Sequence, residues 1–245
     1  MLKIKKLCVT INEKEIIQNL NFSINDGEMH VLMGPNGSGK TTLTHAIAGH
    51  PKYKTSGKII LNNENVANLA PDERAKKGIF VAFQNPVSVE GLGLINFIRK
   101  AKNACDKTNC DIIKFNDEIR AIAKSVKMDE TFLARDLNTG LSGGEKKKSE
   151  IVQMLALRPK FIILDEIDSG VDVDSLKMII NAIKSARNRN TMILIITHYA
   201  NILKYIKPDF VHVMIAGNII KSGKAKFAKE IEKKGYEWLK DYVRC

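Results

Sequence analysis

Gly34-Pro35-Asn36-Gly37-Ser38-Gly39-Lys40-Thr41 follows the spacing G-x-x-x-x-G-K-[ST], which points to phosphate chemistry. In a loop running from Gly34 to Thr42, glycines let successive backbone N–H groups curl around phosphate oxygens. The positive end of a following helix adds to the attraction. Lys40 is placed to reach β- and γ-phosphates, and Thr41 offers its hydroxyl to Mg²⁺. A second constellation, Phe161-Ile162-Ile163-Leu164-Asp165-Glu166, is an apolar run ending in two carboxylates. Strand C-termini face the ligand crevice of an open α/β sheet, so Asp165 is placed to hold the metal. Glu166, one residue on, is placed to orient or deprotonate an attacking water. Leu141-Ser142-Gly143-Gly144-Glu145 precedes a helical pattern; Ser142 suits a cap, and the glycines admit an anion close to the backbone. Taken alone, that run is equally a plain helix start.

These residues need elements to position them. The pattern predicts two strands between Leu2 and Ile24 around the turn Asn12–Lys14, and a third from Glu28 to Met33 running directly into the glycines. A helix from Gly39 to Gly49 follows, stopped by Gly-His-Pro. Phe161–Leu164 and Met192–Ile196 read as strands buried on both faces, with helical periodicity from Asp174 to Ala186 between them. The result is an α/β fold whose parallel sheet is joined by crossover helices. Between Gln84 and Leu141 the character turns helical, over Leu94–Lys102, Ile112–Lys124 and Thr131–Leu137, without a strong strand signal. After Pro208 come strands Phe210–Ile215 and Asn218–Lys221, then amphipathic helix through Trp238.

The 245 residues, 44% of them hydrophobic, suit one elaborated domain. No run reaches the roughly 18 apolar residues of a membrane span. The opening Met-Leu-Lys-Ile-Lys-Lys has no signal-like apolar region, so the expectation is a cytoplasmic protein with no direct membrane insertion. The net charge of +12 comes from lysines spread along the chain rather than gathered in a stripe, which argues against nucleic acid. The Lys146–Lys148 run reads as a solvated helix face. Cys8, Cys105, Cys110 and Cys245 are scattered, as reduced thiols would be. Cys105 and Cys110 have a ferredoxin-like spacing but lack the third cysteine such clusters need.

With the glycine loop, Leu-Ser-Gly-Gly, the Asp165-Glu166 strand and His198 in this order, the whole chain resembles the ABC ATPases, a P-loop NTPase family. The resemblance implies a single ABC ATPase domain with an antiparallel β subdomain and an inserted helical subdomain. Residues 1–84 and 141–245 would form the catalytic core, and residues 85–140 the insert. It further implies ATP with Mg²⁺, and an ATP-dependent head-to-tail homodimer. Ser142, Gly143 and Gly144 of one subunit would close over the γ-phosphate held by the loop of the other. Gln84 becomes the residue that touches Mg²⁺ and water, Asp172 the contact across the dimer, and His198 the γ-phosphate switch. Where such cassettes commonly stack adenine on an aromatic, this chain has Val9-Thr10-Ile11-Asn12.

Within the family, the run Gly-Gly-Glu-Lys-Lys-Lys-Ser-Glu-Ile-Val-Gln-Met resembles the SufC group, ATPases of the SUF iron–sulfur assembly system. Transporter cassettes mostly carry Gln after Leu-Ser-Gly-Gly. The likeness recurs in Ala82–Pro86, Asp165–Asp174, Thr197-His198-Tyr199, Tyr205–Asp209 and Gly235–Trp238, while Glu90 stands where many of that group carry proline. It implies a SufB/SufD-type scaffold partner; the alternative is the ATP-binding subunit of a membrane transporter.

Overall fold

The computed structural model describes residues 1–198 and 200–239; Tyr199 and Cys245, both quoted above, lie outside them. The chain opens with strands β1 (Leu2–Ile11), β2 (Lys14–Ile24) and β3 (Met29–Met33), then helix α1 (Lys40–Ala48). Next come β4 (Lys54–Leu61), β5 (Glu64–Asn65), α2 (Pro71–Lys76) and β6 (Ile79–Ala82). The middle of the chain holds β7 (Val89–Gly93), α3 (Leu94–Asp106), α4 (Ile112–Ser125), α5 (Thr131–Ala134) and β8 (Asp136–Leu137). It continues with α6 (Gly143–Leu157), β9 (Phe161–Asp165), α7 (Val173–Ala186) and β10 (Met192–Ile196). Strands β11 (Phe210–Ile215) and β12 (Asn218–Gly223) and helix α8 (Ala225–Lys234) complete it.

Among the described residues, one sheet has the order β12-β11-β3-β10-β9-β6, and a second, antiparallel one β2-β1-β4-β5. In the first sheet, every neighbouring pair from β11 to β6 is parallel and only β12 runs the other way. Side chains alternate across a strand, so Met29, Val31 and Met33 enter one core cluster and Leu32 another. Covered on both faces, β9 and β10 are buried at every position, which is why their sequences are unbroken apolar runs. Parallel strands register their ends, and the C-terminal ends of β3, β9 and β10 lie side by side: Ile196 is opposite both Leu32 and Asp165. The glycine loop, the carboxylate pair and His198 leave the sheet together there.

The predicted helices are present, with shifted ends. Helix α3 runs on to Asp106, and α8 stops at Lys234 where Gly235 turns to positive φ, short of Trp238. The expected helix Thr131–Leu137 is corrected: it ends at Ala134, and Asp136–Leu137 pairs antiparallel with Val89–Gly93. Strand β12 also extends two residues beyond Lys221.

Buried Arg74 braces α1 from its far end. Its guanidinium donates to the carbonyls of Ala46 (2.7 Å), Ile47 (2.8 Å), Ala67 (2.5 Å) and Leu69 (2.9 Å). Carbonyls at a helix C-terminus have no intrahelical partners, and Arg74 supplies them.

Candidate active site

The loop leaves β3 in a conformation that only glycine permits. A Cβ on Gly34 would lie 2.2 Å from the Met214 carbonyl oxygen, and Gly39, at φ 103°, turns the chain into α1. From the β11–β12 turn, Gly217 N–H donates to Ser38 O at 2.9 Å and supports the loop from below. The first turn of α1 has no side-chain cap and no acidic residue, so its free N–H groups and dipole stay available to an anion. Lys40 Nζ folds back on its own loop, donating to Gly34 O (2.9 Å), Pro35 O (3.0 Å) and Ser38 Oγ (3.5 Å). Burial pushes its pKa down, while Glu166 and then Asp165 pull it back up. The ammonium is thus held at the site on bonds that phosphate oxygens can replace.

Asp165, the last residue of β9, is 1% exposed, and among the described residues neither carboxylate oxygen has a hydrogen-bond partner. Burial, and next Glu166, push its pKa up to about 6; the Thr41 and Thr44 hydroxyls and Lys40 pull it down without closing a full hydrogen bond. A buried carboxylate with no donor beside a threonine hydroxyl fits a site for a hard cation with oxygen ligands. Glu166 adopts φ 51°, which turns its side chain off the strand line. Its Oε2 accepts from Gln84 Nε2 at 2.6 Å, and its Oε1 lies 3.2 Å from His198 Nδ1. Gln84 follows β6 and His198 follows β10, so three strand ends converge on one carboxylate. Thr197 Oγ1 donates to Asp168 at 2.8 Å and ties the segment carrying His198 to the one carrying Glu166.

The Lys146–Lys148 reading needs correction. Lys147 is buried, and its Nζ donates to Glu166 O (2.6 Å) and Ser169 O (2.7 Å), fixing the main chain at the carboxylate. Lys148 is half-buried and donates to Lys127 O at 3.1 Å. Lys147 stands one and two helical turns before buried Ile151 and Met154, a spacing that marks the inward face.

A cavity of about 520 Å³ gathers residues 36–42 with Gln84, Glu166, Ser169 and His198, and Ile11 and Ile16 close one side with aliphatic surface. Ser142, Gly143 and Gly144 are not among its walls. They begin α6 in a capping box: Ser142 N–H donates to Glu145 Oε2 at 2.8 Å, and Glu145 N–H to Ser142 Oγ at 3.4 Å. Among the described residues, and apart from their chain neighbours and the backbone of α6 itself, nothing lies within 4 Å of where a Cβ would sit on Gly143 or Gly144. Asp172 also lies outside the cavity, capping α7 by accepting from Asp174 N–H (3.0 Å) and Ser175 N–H (2.9 Å). Ser175 Oγ holds its carboxyl below the usual range. A larger cleft of about 600 Å³ lies away from the phosphate loop, between β6, α3 and α6. Cys105, on its wall, is half-buried, as are Cys8 and Cys110.

Known proteins resemble this chain in sequence and in fold. A family model described as ABC transporter matches residues 17–169. The "Probable ATP-dependent transporter ycf16" of Trieres chinensis is 48% identical over 98% of this chain and 98% of its own length. "Vegetative protein 296" of Bacillus subtilis (strain 168) is 46% identical, covering 98% of this chain and 93% of its own. Among solved structures, a dimeric ATP-binding cassette in a post-hydrolysis state with ADP and Pi aligns with TM-score 0.79 at 22% identity. The match covers 92% of this chain and 99% of that one, and shows the shared fold.

Proposed function

Because the chain belongs to the ABC transporter family and is an ATP-hydrolysing cassette of it, we propose that it works as a SufC-type ATPase. In this reading it drives conformational change in a SufB/SufD-type scaffold where iron–sulfur clusters assemble, in the cytoplasm and without nucleic acid. The observation that carries the reading is the wording of α6. Its residues depart from the transporter pattern after Leu-Ser-Gly-Gly, and the departing Glu145 and Lys147 are the ones that close the capping box and hold the Glu166 main chain. The helices over residues 85–140 serve as the inserted subdomain on which a partner docks.

In the cycle, Lys40 exchanges its loop carbonyls for the β- and γ-phosphates. Thr41, Asp165 and Gln84 would hold Mg²⁺, which neutralises charge on the phosphate oxygens. Glu166 orients the attacking water, Gln84 and His198 fix the orientation of Glu166, and His198 also senses the γ-phosphate. Ile11 and Ile16 cover the base by packing, which specifies a purine weakly. Ser142, Gly143 and Gly144 of a second copy complete the site, with Asp172 at the contact between copies.

The names of the relatives favour a second reading, the ATP-binding subunit of a membrane transporter. Among the described residues no helix is long and apolar enough to cross a membrane, so that reading needs a separate membrane partner. Affinity purification from native lysate separates the two. A co-purifying SufB- or SufD-like scaffold without a membrane subunit is expected, and a multi-span membrane protein in its place overturns the SufC-type reading.

A further inference from the structure

Two residues outside the nucleotide cavity grip the chain immediately ahead of Gln84. Strand β6 ends at Ala82, so Phe83 is the first residue off the sheet. Its N–H donates at 3.0 Å to Oε1 of Glu150, which is buried on α6, the helix begun by Ser142. The Phe83 ring stacks on His45 of α1, the helix begun by the phosphate loop, with centroids 5.3 Å apart and planes 21° apart. His45 in turn stacks on Tyr53 at 4.8 Å and 23°. One residue further on, Gln84 Nε2 meets Glu166 at 2.6 Å. The helix begun by Ser142 therefore holds Phe83 by its main chain, and the helix begun by the phosphate loop holds it by its ring.

A buried carboxyl is a costly way to accept a single backbone N–H, because burial penalises its charged form. Burial pushes Glu150 up to about 8, with the Phe83 N–H and Lys147 pulling down. Stability alone would be served as well by a neutral acceptor.

We propose that Glu150 is a positioning residue for Gln84. It fixes the start of the Gln84 segment to the helix begun by Ser142, so that movement of that helix moves Gln84 relative to Glu166. When a second copy closes over Ser142, its displacement reaches the catalytic carboxylate through Glu150 and Phe83. The inference rests on the roles given above to Gln84 and Glu166.

Steady-state ATPase assays and nucleotide-binding titrations on Glu150→Met and Glu150→Gln, each alone and combined with Gln84→Ala, test it. Glu150→Met removes the acceptor and should lower kcat about tenfold while ATP affinity stays within about twofold. Glu150→Gln keeps an acceptor oxygen and should retain kcat within about threefold. With Gln84 already replaced, Glu150→Met should cost nothing further, because residues acting through one another are non-additive. An unchanged kcat in Glu150→Met, or the same loss with and without Gln84, overturns the proposal. If Gln84→Ala alone hydrolyses ATP at the unmodified rate, the role given to Gln84 fails instead. Glu150→Asp, which shortens the acceptor by one methylene, is read by the same criteria if Glu150→Met does not fold.

Discussion

Lys40→Ala lowers ATP affinity by about a hundredfold, or about 2.7 kcal/mol, the scale of a lost charge-assisted hydrogen bond. The ammonium is already at the site, bound to the carbonyls of Gly34 and Pro35, and burial has partly stripped its solvent. It therefore reaches phosphate with little reorganisation, and no other lysine or arginine lines the cavity among the described residues. The loop N–H groups and the α1 dipole remain in the variant, so residual weak binding is expected. Isothermal titration with ATP checks this, beside a thermal melt showing that the loop still folds. Unchanged affinity in a folded variant would mean that Lys40 stays on its own carbonyls and does not engage the nucleotide.

Glu166→Gln has the opposite signature. ATP stays bound, and hydrolysis at saturating ATP slows at least about tenfold, about 1.4 kcal/mol of barrier. The amide retains the shape of the side chain and one acceptor for Gln84, while losing the charge and basicity that orient water. Gln84 at 2.6 Å and His198 at 3.2 Å both converge on this carboxylate, so its replacement also unsettles their positions. The check is turnover measured in the presence of the proposed scaffold partner. A variant that hydrolyses at the unmodified rate removes Glu166 from the mechanism and leaves the phosphate loop untouched.

The sheet and the loop are legible in the sequence because their physics is local. A strand covered on both faces must be apolar throughout, as Met192–Ile196 is, and a phosphate loop must place its glycines and lysine at fixed spacing. The β7–β8 pair is hidden for the opposite reason. Val89–Gly93 carries two glycines, Asp136–Leu137 is very short, and the helices α3, α4 and α5 separate them, so only tertiary pairing makes them strands. Lys147 is disguised by its neighbours: a run of lysines suggests a solvated face, and only helical spacing to Ile151 and Met154 turns it inward. The meeting of Gln84, Glu166 and His198 follows from strand order, which spacing along the chain does not encode. Family resemblance supplies those roles, and the fold supplies the distances. Spacing along the chain does not encode that Ser142–Gly144 stand apart from the phosphate cavity either, and that separation fits the head-to-tail pairing which the resemblance implies.

If a second copy completes the site, Glu166→Gln should pair on binding ATP, and its mass in solution reads this. In multi-angle light scattering with saturating Mg²⁺ and ATP, the expected mass is twice the 27.4 kDa chain mass, falling back to the chain mass without nucleotide or when Ser142→Arg is added. A species of 27.4 kDa with ATP demonstrably bound, or a dimer indifferent to Ser142→Arg, would contradict it.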